Sequence, residues 1–131
     1  MEPTPPRPER ILLVDDDDVL AGFIRVILER DGGFSNVVIA EDPVEVLAQV
    51  DTGERFDLII TKLMLRRIDG YELVEQLRAR PATATTPILF LTARLGPEHV
   101  ARCYAAGAND QMNKPFTPDE LLAHVRALLG A

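Results

Sequence analysis

Five times along this chain a short apolar run is followed by a segment whose apolar residues recur at helical spacing. Ile11–Leu12–Leu13–Val14 is the first run, and a stripe of Leu20, Phe23, Ile24, Ile27 and Leu28 follows it. Gly32 and Gly33 end that segment. Val37–Ala40 is the second run, and Asp42-Pro43-Val44-Glu45 then reads as a capping box, with Val46, Leu47 and Val50 inward. Leu58–Ile59–Ile60 is the third, ending at Thr61 and Lys62. Asp69 caps the helix behind it, where Leu73, Val74 and Leu77 face inward. Ile88–Leu91 is the fourth, before a helix from Gly96-Pro97 to about Gly107. The fifth strand, near Asp110 to Met112, is the weakest. Thr117-Pro118-Asp119-Glu120 starts the last helix, with Leu121, Leu122, Val125 and Leu128 as its stripe.

Short continuous apolar runs suit strands buried on both faces. Alternation with helices therefore predicts a parallel sheet covered on both sides, joined by right-handed crossovers. In such sheets ligands bind beyond the C-terminal strand ends, where strand order reverses. The 131 residues suit one domain, expected over 10–131 after a disordered, Pro-rich lead-in over 1–9. A single cysteine, Cys103, excludes an intrachain disulfide and suits a reducing, cytoplasmic setting. No apolar run reaches the length of a membrane span, and no signal-peptide core is present. A net charge of -7 argues against nucleic-acid binding by this domain.

The residues after each run carry the chemistry. Asp15, Asp16, Asp17 and Asp18 follow the first, Lys62 the third, Thr92 and Ala93 the fourth, and Lys114-Pro115-Phe116 the fifth. Adjacent carboxylates repel and call for a cation, and oxygen ligands of this kind suit Mg²⁺. Asp17 and Asp18 fit a helix start, where negative charge meets the positive end of the dipole. Asp15 and Asp16, abutting a buried strand, read as a site. Cys103 and Tyr104 fit helix packing. His99 and His124 lack partners at metal-ligand spacing.

Ile11-Leu12-Leu13-Val14-Asp15-Asp16, Asp57-Leu58-Ile59-Ile60, Ile68-Asp69-Gly70-Tyr71-Glu72-Leu73, Leu91-Thr92-Ala93 and Gly107-Ala108-Asn109-Asp110 with Lys114-Pro115-Phe116 fall in order. Together they resemble the receiver domain of bacterial two-component response regulators, over about residues 10 to 129. The resemblance implies a flavodoxin-like (βα)5 doubly wound fold, with a five-stranded parallel sheet of order 2-1-3-4-5. It also implies roles. Asp15 and Asp16 match the acidic pair that holds Mg²⁺. Thr92 and Lys114 match the residues that contact a phosphoryl group, and the Lys114–Pro115 peptide is expected cis. The phosphoryl-accepting aspartate is matched by Lys62. Gln111 stands where an aromatic switch residue is common, and Arg66 where a proline is common.

A lysine ammonium cannot become an acyl phosphate, so the usual transfer is expected to be absent. Thr61 carries a hydroxyl, but strand alternation turns it away from Lys62. Two carboxylates and two ammoniums balance without a divalent cation. Lys62 is therefore expected to sit where the metal would, paired to Asp16 or Asp15, with Mg²⁺ binding lost or weak. The alternative for Lys62 is a side chain reaching solvent beside Arg66 and Arg67.

The leading expectation is a non-enzymatic, phosphorylation-independent interaction module, an atypical receiver or pseudo-receiver, in signal transduction or a phosphorelay. Its partners would be signalling proteins such as a histidine kinase or an effector, or a second copy in a homodimer. They would meet the face of the fourth helix, fifth strand and fifth helix, through Glu98, Arg102, Gln111, Asp119, His124 and Arg126. No effector domain follows the fifth helix in this sequence, which is read as a stand-alone domain or an excised piece. Two rivals remain. One is a receiver phosphorylated at a non-standard residue. The other is a small phosphatase, since Asp15 to Val19 also fits the Asp-x-Asp-x-Val signature of the haloacid-dehalogenase type.

Overall fold

The computed structural model describes residues 7–93 and 96–130. Five parallel strands form one sheet: β1 (Arg7–Val14), β2 (Phe34–Ala40), β3 (Leu58–Lys62), β4 (Ile88–Thr92) and β5 (Asp110–Asn113), in the order β2-β1-β3-β4-β5. The strand after β1 pairs on one side of it, and all later strands add on the other. Strand order therefore reverses between β1 and β3, and the ends of those two strands share a crevice.

Side-chain alternation divides the core in two. Ile11, Leu13, Leu58 and Ile60 point to one side and meet α1 (Asp18–Val26) and α5 (Pro118–Leu128). Leu12, Val14, Ile59 and Phe90 point to the other and meet α2 (Pro43–Asp51), α3 (Gly70–Arg78) and α4 (Pro97–Ala106). Each fully buried Leu or Ile contributes roughly 1.5–3 kcal/mol of hydrophobic stabilisation. This accounts for the unbroken apolar runs of β1, β3 and β4. β5 lies at the sheet edge, where Met112 is its buried residue, so its sequence signal is weak.

Helix starts follow the capping chemistry read from the sequence, except that α2 has the Asp42 cap without the returning Glu45 bond of the expected capping box. Asp17 accepts from the amides of Val19 and Leu20, Asp42 from Val44 and Asp69 from Glu72. Thr117 and Glu120 form a reciprocal capping box on α5.

The structure departs from the sequence reading in two places. β1 begins at Arg7, which pairs with Phe34, so residues 7–9 of the expected lead-in are strand. The rest of that lead-in, residues 1–6, lies outside the described residues. The α1 stripe is also narrower than its periodicity suggested. Ala21, Ile24, Ile27 and Leu28 are buried, but Phe23 is 55% exposed. A single π-helical turn over Ile27–Asp31 ends this helix. Gly32 then leaves no room for a side chain, since a Cβ there would lie 2.7 Å from both Leu122 and the Leu28 carbonyl.

One polar side chain fastens the N-terminal side of the sheet. The Arg78 guanidinium donates to the carbonyls of Gly107, Thr83 and Thr86 and to Asn109 Oδ1, at 2.7 to 2.9 Å. Asn109 Oδ1 also accepts from the Ile88 amide. One arginine thereby joins the end of α3, the entry to β4 and the turn between α4 and β5.

Candidate functional site

Asp15 continues the sheet ladder by donating its amide to the Ala40 carbonyl at 3.0 Å. That bond, together with the amide of Asp17 donating to Asp15 Oδ1 at 2.8 Å, fixes the Asp15 carboxylate, which is 2% exposed. Lys62, the last residue of β3, reaches across the same crevice. Its Nζ lies 2.5 Å from Asp16 Oδ1 and 3.1 Å from Asp15 Oδ1, with only 19% of its side chain exposed. Of the two orientations open to Lys62, the structure has the internal pair. The arginines take the outer positions: Arg66 Nε lies 3.8 Å from Asp16, and Arg67 Nη2 lies 3.2 Å from Asp42.

These contacts shape the ionisation of the site. The hydrogen bond from Lys62 holds the Asp16 carboxyl below its ordinary range, against the opposing effect of burial. Burial would push the Lys62 ammonium down, but its hydrogen bonds to Asp16 and Asp15 outweigh this and raise it. Both groups are therefore held charged. Asp15 and Asp16 do not suit a divalent cation in this arrangement. The ammonium lies against an oxygen of each, and among the described residues no group of three metal-ligating side chains is assembled.

The remaining strand-end residues line a cavity of about 320 Å³ between Lys62, Leu63, Met64, Leu91, Thr92 and Lys114. Thr92 is 4% exposed, and its Oγ1 has no hydrogen-bond partner among the described residues. Lys114 donates its backbone amide to the Thr92 carbonyl at 2.7 Å, and the peptide to Pro115 is cis. The Lys114 side chain forms no ion pair with the described residues, unlike that of Lys62. Burial pushes its ammonium down, Asp15 opposes that, and the like charge of Lys62 adds to it. Thr61 is buried, and its hydroxyl donates to the Lys62 carbonyl.

Gly70 sets how closely the start of α3 approaches this crevice. A Cβ there would lie 2.3 Å from the Lys62 carbonyl oxygen and 2.7 Å from the Phe90 ring. Gly70→Ala is therefore expected to destabilise the fold by about 1–3 kcal/mol, because backbone must move to admit the methyl group. Urea unfolding measures this, and an unchanged midpoint would refute the tight packing.

On the face of α4, β5 and α5, the Asp110 carboxylate pairs with His124 Nδ1, tying the two elements together, and Tyr104 lies beside it. Gln111 turns inward, with a buried Oε1 that lacks a hydrogen-bond partner among the described residues. Glu98, Asp119 and Arg126 are exposed. Arg102 does not join that face. Its guanidinium lies 4.2 Å from the Tyr71 ring centroid, in the groove between α3 and α4. There the Tyr71 hydroxyl meets His99 Nδ1, and His99 Nε2 lies 3.6 Å from the buried Cys103 thiol. Arg102 is expected from the sequence on the face of α4, β5 and α5, and the structure turns it to the other side of α4. The missing signal was Tyr71, whose ring draws the cation across.

The family model described as response regulator receiver domain matches residues 11–126. The chain is 38% identical, over 121 residues, to the phosphate regulon transcriptional regulatory protein PhoB of Rhizobium meliloti (strain 1021). That alignment covers 92% of this chain and 52% of the relative, so the chain spans about half the length of the curated relatives it matches. Among solved structures, the chemotaxis response regulator CheY4 of Vibrio cholerae superposes with a TM-score of 0.84 at 32% identity, covering 93% of this chain and 99% of that one. The receiver domain of sensor histidine kinase PA1611 from Pseudomonas aeruginosa PAO1 also superposes with a TM-score of 0.84, at 30% identity and 95% and 100% coverage. That structure has a magnesium ion coordinated in its active site cleft.

Proposed function

Since this chain belongs to the response regulator receiver domain family of two-component signal transduction, we propose that it is an atypical member that signals by protein contact without being phosphorylated. Receivers of this family work with histidine kinases and effectors, and the proposal concerns how this one is read. The carrying observation is the Lys62 ammonium, 2.5 Å from Asp16 and 3.1 Å from Asp15. It supplies no oxygen nucleophile, and it holds in place the carboxylates that a metal would need. The chain's own residues then act as a fixed ion-paired cluster. Lys62 orients Asp15 and Asp16, Arg66 shields Asp16 from outside, and Thr92 and Lys114 remain beside the cavity.

On this reading the chain is not an enzyme, and its setting is cytoplasmic. Among the described residues no helix is long and apolar enough to cross a membrane. The output face is that of α4, β5 and α5, carrying Glu98, Tyr104, His124 and Arg126. The phosphatase alternative lacks support, because the acidic residues after Lys114, Asp119 and Glu120, are spent in the exposed first turn of α5.

The test is incubation with acetyl phosphate and Mg²⁺, followed by intact-mass measurement. The expected result is an unmodified chain. A stable added phosphoryl group would favour a receiver with some other acceptor, and peptide mapping would find it.

A further inference from the structure

Two polar groups at the cavity beyond the ends of β3, β4 and β5 are left without partners. Lys62 spends its ammonium on Asp16 and Asp15. Lys114 does not. Its half-buried side chain forms no ion pair among the described residues, and Asp15 and Asp17 act on it only at longer range. A cation withdrawn from water without a partner destabilises a fold, and so does a buried hydroxyl without one. Thr92 carries such a hydroxyl. The residue is almost wholly buried and lines the same cavity, and its Oγ1 has no hydrogen-bond partner among the described residues. Since no bond in the chain holds it, that hydroxyl is free to turn about χ1 and donate to an acceptor brought into the cavity.

The walls narrow the class of molecule that would supply the acceptor. Apart from Lys62, the rest of the lining is Leu63, Met64, Leu91 and Ala93, all apolar. Met64 is 76% exposed, so its side chain has apolar surface left to cover. At about 320 Å³ the cavity falls at the lower end of the roughly 300–1,000 Å³ of small-molecule sites. One free ammonium matches one negative charge. A doubly charged phosphate would leave half of its charge unmatched and would face Asp15 and Asp17, whose fields already reach Lys114.

We propose, resting on the reading of Lys62 as a fixed counter-ion, that this cavity binds a small organic monocarboxylate without covalent change. Its head meets Lys114 and Thr92, and its apolar body covers Leu63, Met64 and Leu91. Such an acid would be the input that phosphoryl transfer does not supply here.

Calorimetric titration of the full chain with octanoate, acetate and inorganic phosphate tests this. Octanoate binds with a dissociation constant of about 1 mM or tighter, and acetate and phosphate each bind at least about tenfold more weakly. Lys114→Met keeps the stem and removes the charge, and octanoate binding falls by about tenfold or more. This variant melts no lower than the wild type, because it removes an unpaired, half-buried charge, so its lost binding is not lost folding. Thr92→Val reads the same site without touching a charge and weakens octanoate by about threefold to tenfold. No heat of binding up to about 10 mM octanoate overturns the proposal. So does an affinity that Lys114→Met leaves unchanged, or phosphate bound as tightly as octanoate. The acetyl phosphate incubation reads phosphorylation separately. A chain that binds no octanoate yet stays unmodified there loses this site and keeps its phosphorylation-independent signalling.

Discussion

Lys62→Asp is expected to give a fold that Mg²⁺ stabilises, in contrast to the metal indifference proposed for the wild type. In EDTA the variant is expected to melt about 10 °C below the wild type. It loses both ion pairs and places a third carboxylate beside Asp15 and Asp16, a change of roughly 3 kcal/mol for removing one partner of a buried pair. Adding Mg²⁺ recovers part of this. For a dissociation constant of about 1 mM, 10 mM Mg²⁺ restores about 1.4 kcal/mol by linkage alone. The wild-type melting temperature stays put over the same titration, because its cation is covalently attached. Thermal melts of both proteins with and without Mg²⁺ decide the matter. A wild type stabilised by Mg²⁺ as strongly as the variant would sink the proposed role of Lys62. With Thr92 and Lys114 already in place, the variant is also the one expected to gain a phosphoryl group from acetyl phosphate.

Arg78→Ala is expected to give the largest loss of stability of any single substitution remote from the site, about 3–5 kcal/mol. The side chain donates to three backbone carbonyls and to Asn109, and three separate segments meet on it. Truncation leaves those carbonyls without donors in a region too closed to solvate them well. Lys in its place cannot reproduce the forked geometry and is expected to rescue less than half of the loss. Denaturant unfolding of Arg78→Ala and Arg78→Lys measures both effects. Destabilisation below about 1 kcal/mol for the alanine variant would show that the staple is dispensable.

What could be read from the sequence follows from how local each signal is. β1, β3 and β4 were plain because burial on both faces demands unbroken apolar runs, and the starts of α1, α2, α3 and α5 each carried a capping side chain. Lys62 was legible as a misfit because the acidic pair, Thr92 and Lys114 framed the position it fills. Its pairing to Asp16 or Asp15 was legible too, because the expected order 2-1-3-4-5 sets β1 beside β3; that the ammonium touches both carboxylates at once depends on side-chain geometry that the sequence does not carry. Phe23 misled for a related reason. Periodicity places a residue on a stripe, but how far the stripe is covered depends on what packs there. The same holds for Arg102, drawn to Tyr71 across the groove between α3 and α4. Arg78 gave no signal in the sequence, because none of its four acceptors is adjacent to it in the chain.

The amine at the end of β3 is a counter-ion on a leash. A dissolved divalent ion comes and goes with its supply, whereas this one is present at a constant, very high local concentration whatever the surrounding fluid contains. Chelation or magnesium starvation, which would strip a diffusible ion, cannot empty a pocket whose positive charge is part of the polypeptide.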